Sequence, residues 1–275
     1  MTIDEERRSM KKCVIALSIF CLFFLSMSPV YAQSNKPLHW GFAKSKNHEP
    51  PSAGVELDTL LEKYGSFYLG NSTKKEIYLT FDNGYENGYT PKVLDVLKKQ
   101  KVPATFFVTG HYLEKEPGLV KRMVNEGHIV GNHSWHHPDL TTQSAEKLKK
   151  ELESVRLKVE ELTGQKEMNY LRPPRGIFSE RVLAESKKLG YTNVFWSLAF
   201  IDWKVDAQRG WKYSYDNIMR QIHPGSILLL HTVSKDNAEA LDQAIIDLKK
   251  QGYIFKSLDD LMINKMIENP YLISL

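Results

Sequence analysis

Short apolar runs alternate with amphipathic stretches from Lys75 to the C-terminus. Glu76–Phe81 has the length and β-branched and aromatic content of a strand, and Ala104–Val108 repeats that character. Between them Val93, Leu94, Val96 and Leu97 recur at helical spacing, with Thr90 as the expected N-cap and Pro91 at the first helical position. The same alternation predicts a helix over Pro117–Glu126 and a third strand over His128–Gly131. A long amphipathic helix over Ser144–Leu162 follows, ended by Gly164. Further strands are expected at Tyr170–Arg172, Asn193–Trp196, Ser226–Leu230 and Ile254–Lys256. The intervening helices run from a Ser179 cap to Gly190, from about Ala238 to Lys250, and from Leu258 onward. Strand and helix in regular alternation imply a parallel sheet with helices outside. About seven such units in ~200 residues suggest a distorted, closed or nearly closed (β/α) barrel. A doubly wound open sheet is the alternative.

The N-terminus has a different pattern. Arg7, Arg8, Lys11 and Lys12 precede an apolar run from Cys13 to Met27, then Pro29-Val30-Tyr31-Ala32. Charged, apolar and small-residue regions in that order predict a secretory signal peptide over residues 1–32, with Met10 a possible start. The run is short for a membrane span, which needs about 20 residues, so an uncleaved anchor is the minor alternative. Residues 33–74, with Pro37, Pro50 and Pro51, read as an irregular lead-in to a domain over 75–268. Both cysteines, Cys13 and Cys21, lie in the signal segment. The mature chain is therefore expected to have no disulfide, thiolate metal site or cysteine nucleophile. A net charge of +4 spread over 275 residues gives no nucleic-acid footprint. A secreted monomer without a membrane span fits these features.

Candidate chemistry collects where the predicted strands end. Asp82-Asn83-Gly84 follows the first strand, and His133-Ser134-Trp135-His136-His137 the third. Arg172-Pro173-Pro174-Arg175-Gly176 follows the fourth, Asp202-Trp203 lies beyond the fifth, and His231-Thr232 follows the sixth. An Asp after a strand is usually a turn residue, and a His pair is usually packing. Their shared position at strand C-terminal ends points to an active site. His133 and His137, spaced i,i+4, would share one face if helical, as a divalent cation requires. Ser134 stands where a zinc protease carries Glu, which excludes that family and leaves Asp82 as the base candidate.

These five ordered motifs, with Thr80-Phe81 ahead of the first and Leu229-Leu230 ahead of His231, resemble the polysaccharide deacetylases with a NodB homology domain, carbohydrate esterase family 4. The resemblance runs from about Lys75 to the C-terminus. The stretch Phe81–Thr90 is similar to the delta-lactam-biosynthetic de-N-acetylases, which act on N-acetylmuramic acid in spore cortex peptidoglycan. The resemblance implies Asp82 as general base, Arg172 as its orienting partner, His231 as general acid and Asp202 as the carboxylate holding it. It implies His133 and His137 as ligands of a divalent cation, zinc in the first instance, and Trp203 and Leu229 as apolar walls. Tyr85 is a candidate sugar contact, with Glu86 and Asn87 beside it.

One position departs from the family pattern. Asn83 stands where relatives carry the Asp that is the third metal ligand, so weaker cation binding is expected. Arg175 replaces a common aromatic and is assigned to the anionic lactyl group of muramic acid. The rival functions are a deacetylase of N-acetylglucosamine in peptidoglycan or chitin-like oligomers and, from another class, a non-catalytic wall-glycan-binding protein. Trp135 and Trp196 are expected in the core, Trp40 and Trp211 in surface packing or a sugar groove, and His111, His128 and His136 outside the chemistry.

Overall fold

The computed structural model describes residues 33–268, so the expected signal segment lies outside the described residues. In chain order the elements are β1 (Leu38–His39), α1 (Val55–Lys63), β2 (Glu76–Asn83), α2 (Thr90–Gln100), β3 (Ala104–Val108), α3 (Gly110–Lys115) and α4 (Pro117–Asn125). They continue with β4 (Ile129–Asn132), α5 (Ala145–Thr163), β5 (Tyr170–Leu171), β6 (Ile177–Phe178), α6 (Glu180–Lys188) and β7 (Thr192–Asn193). Last come α7 (Trp211–Gln221), β8 (Ser226–Leu230), α8 (Lys235–Lys250), β9 (Ile254–Phe255) and α9 (Leu258–Glu268).

Seven strands form one parallel sheet in the order β7-β5-β4-β3-β2-β8, with β9 added to β2. β9 pairs only with Glu76 and Ile77, and β3 takes over from Leu79 onward. The two edges of the sheet approach through the chain that leaves β7. Val194 N–H donates to Leu171 O, and further on Leu198 forms a parallel bridge to Leu228 of β8. Phe67 bridges Val194 and Leu69 bridges Ser226 between them. The result is the distorted barrel the alternation predicted, closed by isolated bridges instead of a full ladder. β2, β3 and β8 are buried throughout or almost so, as a parallel strand covered on both faces must be.

Local signals placed several boundaries. Ser144 and Ser179 accept from Lys147 N–H and Val182 N–H as N-caps, and Gly164 ends α5 at φ 76°. Four expectations change. Thr90 is inside α2, with Tyr89 as N-cap, and its hydroxyl bonds Glu86, Thr232 and Tyr112. The third strand starts at Ile129, because His128 turns its ring edge-on to Phe106. Tyr170–Leu171 and Thr192–Asn193 are shorter strands than expected, because the chain swings from one edge of the barrel toward the other there. The lead-in is not wholly irregular: α1 seats Leu61 in an aromatic and aliphatic cluster with Phe178, Leu183 and Phe195, and β1 pairs antiparallel with β6. α3 and α7 also have no counterpart in the sequence-based reading.

Candidate active site

A cavity of about 930 Å³ opens at the C-terminal ends of the strands, walled by Asp82, Tyr85, His133, His137, Arg175, Trp203, Leu229 and His231. Eight of the eleven candidate residues thus share one space. Arg172 and Asp202 lie behind the wall, each buried against a wall residue. Asn83 is fully buried next to Asp82 in the chain and does not line the cavity wall.

Asp82 is nine-tenths buried, and Arg172 is wholly so. Arg172 Nη1 donates to Asp82 Oδ1 at 2.8 Å, while Nε and Nη2 donate to the carbonyls of Val194 and Phe195 at 3.0 and 3.5 Å. The guanidinium also lies 4.2 Å from the Phe107 ring centroid. Three donor directions and a ring face leave it one orientation. Burial alone would raise the Asp82 pKa, but Arg172, His133 and His231 outweigh it and hold the carboxyl below its ordinary value.

On the facing side, His231 Nδ1 lies 2.8 Å from Asp202 Oδ1, and its backbone N–H donates to Asp202 Oδ2 at 2.9 Å. Burial pushes the imidazole down, yet the Asp202 charge and hydrogen bond raise it above its ordinary value. The Trp203 ring stands 5.6 Å from that of His231 and is 45 % exposed, so it covers the acid from the solvent side.

The two histidines meet without a helix. The segment from His133 to His137 is a loop with Ser134 at φ 63° and His137 at φ 56°. Two residues in the left-handed region fold it so that the rings lie 4.8 Å apart at 66°. The expected helical face is corrected accordingly. Such conformations cost non-glycine residues about 1 kcal/mol each and cluster at functional sites. His133 Nδ1 is 2.8 Å from Arg172 O, which fixes that nitrogen as the donor and leaves Nε2 with a free lone pair, 3.5 Å from Asp82 Oδ2. Burial pushes both histidines down, His137 to about 4 with help from His133 and Arg175. Both are therefore neutral near pH 7, the ligating form.

Among the described residues no three His, Cys, Asp or Glu side chains converge as a metal site. The Asn83 amide adds a donor of another kind. Its Nδ2 donates to Thr232 Oγ1 at 2.7 Å, and its Oδ1 is buried without a partner. Two neutral imidazoles and an orphaned amide oxygen fit a divalent cation, with one neutral ligand where a carboxylate is usual.

Polysaccharide deacetylase is the family whose profile matches this chain, over residues 69–194. The peptidoglycan-N-acetylmuramic acid deacetylase PdaA of Bacillus subtilis (strain 168) is 63% identical over 241 residues, 88% of this chain and 92% of that protein. This chain belongs to the polysaccharide deacetylase family. The structure of Bacillus subtilis PdaA, a family 4 carbohydrate esterase, superposes with a TM-score of 0.83 at 64% identity, over 84% of this chain and 99% of that one. A peptidoglycan-N-acetylglucosamine deacetylase of Bacillus cereus is 35% identical over 203 residues, 72% of each chain.

The cavity of this deacetylase also contains residues the sequence-based reading set aside. Trp135 and Trp196, expected in the core, line it, as do His111 and Glu114 of α3. Their signal was the motif itself: Trp135 lies between the two histidines. Gly176, at φ 67°, lets Trp196 and Trp40 close to within 2.9 Å of where a Cβ would sit. Trp40 packs on Phe195, Tyr68 and Trp196 and is not on the wall. Glu86 and Asn87 serve the fold, bonding Thr90 and Tyr112 and the Val233 carbonyl respectively. His136 is largely exposed and bonds Glu151 at 2.6 Å.

Proposed function

We propose that this deacetylase is exported and removes the N-acetyl group of N-acetylmuramic acid in peptidoglycan, toward muramic delta-lactam in spore cortex. One observation carries the chemistry: a carboxylate whose pKa Arg172 holds down and an imidazole whose pKa Asp202 raises line the same cavity. A base and an acid pushed apart in this way are what amide hydrolysis needs near neutral pH. Asp82 Oδ2 takes the proton of the attacking water, and Arg172 keeps Oδ1 aligned. His231 Nε2 gives its proton to the departing nitrogen, and Asp202 fixes the imidazole through Nδ1. A divalent cation on His133, His137 and Asn83, zinc in the first instance, supplies Lewis-acid polarisation of the acetyl carbonyl when bound. Trp203 and Leu229 enclose the acetyl methyl. Tyr85, 47 % exposed at the mouth, stacks against the sugar.

The muramic preference rests on Arg175. Its left-handed backbone, φ 58°, puts an exposed guanidinium on the cavity wall, where it pairs with the lactyl carboxylate. The similarity to a muramic acid deacetylase at 63% identity supports the same substrate. The rival reading, N-acetylglucosamine deacetylation, draws on the 35% relative that acts on that sugar. Acetate release from peptide-free glycan strands, beside N-acetylglucosamine oligomers and with and without chelator, separates them. Release from the muramic substrate alone, lost on chelation and restored by a divalent ion, is expected. Release from glucosamine oligomers alone would transfer the assignment to the rival. Release from neither, with Asp82→Asn matching the parent, would leave a non-catalytic glycan-binding protein. Arg175→Ala is expected to narrow the muramic preference about tenfold, the worth of one charge-assisted contact. An unchanged preference would refute the role of Arg175.

A further inference from the structure

The carboxylate behind the acid has a second clamp, and it comes from a helix outside the five motifs. Asn237 stands in the first turn of α8, 2 % exposed and absent from the cavity wall. Its Nδ2 donates to Asp202 Oδ2 at 2.5 Å and to His231 O at 3.2 Å. Both contacts fall on the acid and its partner. Asn237 Oδ1 is buried and makes no hydrogen bond. The amide cannot be turned over, because its oxygen would then face two acceptors. Asp202 Oδ2 thus accepts from His231 N–H and Asn237 Nδ2, which leaves Oδ1 for the imidazole. Among the described residues the ion pair of Asp202 is with His231. The rest of the loop is stitched to the same turn. Gln208 Nε2 donates to Asp202 O and Lys204 O, and its Oε1 accepts from Ser234 Oγ and Asp236 N–H. Arg209 N–H donates to Asp236 Oδ2.

We propose that Asn237 is a positioning residue for the deacetylation: by donating to Asp202 Oδ2 it keeps that carboxylate turned so that Oδ1 stays on Nδ1 of His231 and holds the imidazole in its orientation. A hydrogen bond to the charged form of a carboxylate favours that form, and the aligned charge in turn favours imidazolium. Removing the donor lets Asp202 rotate and weakens its hold on the proton of His231. The sign is therefore fixed: without the Asn237 amide, His231 titrates at lower pH. The other titratable and charged groups around His231, namely Asp82, Arg172 and the neutral His133 and His137 across the cavity and Asp236 with Arg209 behind it, are untouched by the substitution.

The test compares Asn237→Ala with the parent by NMR titration of the His231 imidazole and by the pH dependence of kcat for acetate release. The expected result is a lower His231 pKa, a basic limb of kcat moved to lower pH, and kcat down about 10- to 100-fold at neutral pH. KM is expected within about twofold, since Asn237 does not reach the cavity. In an Asp202→Asn background the same substitution costs little more, because it acts through Asp202. Ser234→Ala removes the N-cap of the same helix and is expected to lower Tm without moving the titration. Should Asn237→Ala fail to fold, Asn237→Ser, whose hydroxyl falls short of Asp202, takes its place. An unmoved His231 titration with a lower Tm would overturn the proposal and make Asn237 a purely structural residue. The kinetic arm rests on His231 as the general acid. The titration needs no substrate, so a parent that releases no acetate refutes that reading while the imidazole still decides this one.

Discussion

Gly110→Ala sets two opposed effects against each other, and the geometry decides between them. Gly110 opens α3 with ordinary φ, so helix propensity by itself favours Ala by about 0.5–1 kcal/mol. A Cβ there would stand 2.3, 2.5 and 2.6 Å from Cδ2, Cε2 and Cγ of Trp135, closer than carbon atoms pack. Cγ is one bond from the Trp135 Cβ, so the ring cannot swing clear by a tip rotation. Gly110 N–H also donates to Trp135 O at 3.0 Å, which ties both backbones together. The strain of such overpacking is about 1–3 kcal/mol. It exceeds the propensity gain, leaving a net loss of about 1–2 kcal/mol. With a urea slope of about 1–3 kcal/mol/M, the unfolding midpoint falls by roughly 0.5–1 M. The displaced segment is the one that brings His133 and His137 together, so cation affinity measured by calorimetry is expected to fall about tenfold or more. Trp135→Leu in the Gly110→Ala background is expected to return part of the lost stability. A single Gly110→Ala variant with a midpoint at or above the parent's would refute the reasoning.

Arg172→Met leaves the Asp82 carboxylate buried and unpaired and frees two carbonyls, so a loss of about 3–5 kcal/mol at pH 7 is expected from equilibrium unfolding. Ser134→Gly relieves a left-handed residue whose hydroxyl is buried and unpaired, and a gain of about 0.5–1 kcal/mol is expected with cation binding unchanged. Asn83→Asp exchanges the amide oxygen for a carboxylate; tighter cation binding by calorimetry is expected, with a lower Tm in chelator, where the new charge is buried beside Asp82. Asp202→Asn removes the charge that raises His231, so the basic limb of kcat moves to lower pH; a limb that stays in place would exclude His231 as the acid.

The chain's own pattern determined the parallel α/β barrel, the caps of two helices and the ring of chemistry at the strand ends. Those features depend on local sequence: continuous apolar strand runs, period-3.6 burial along the helices, Ser144 and Ser179 as caps, and ionisable residues at the ends of apolar strands. Eight candidates reached the cavity because a residue after a parallel strand must emerge at its C-terminal end. The Leu57, Leu60, Leu61 spacing of α1 was also in plain view, yet the flanking prolines and glycines masked it. Only the tertiary structure decided the rest. The His133–His137 pair meets through two left-handed residues, a backbone state that spacing does not encode. Trp135 and Trp196 face the cavity because Gly110 and Gly176 leave room behind them. Asn237 reaches Asp202 across 35 residues of chain, because the fold lays the first turn of α8 against the loop that follows β7. Contacts of that range depend on how elements pack in three dimensions, and no periodicity along the chain records them.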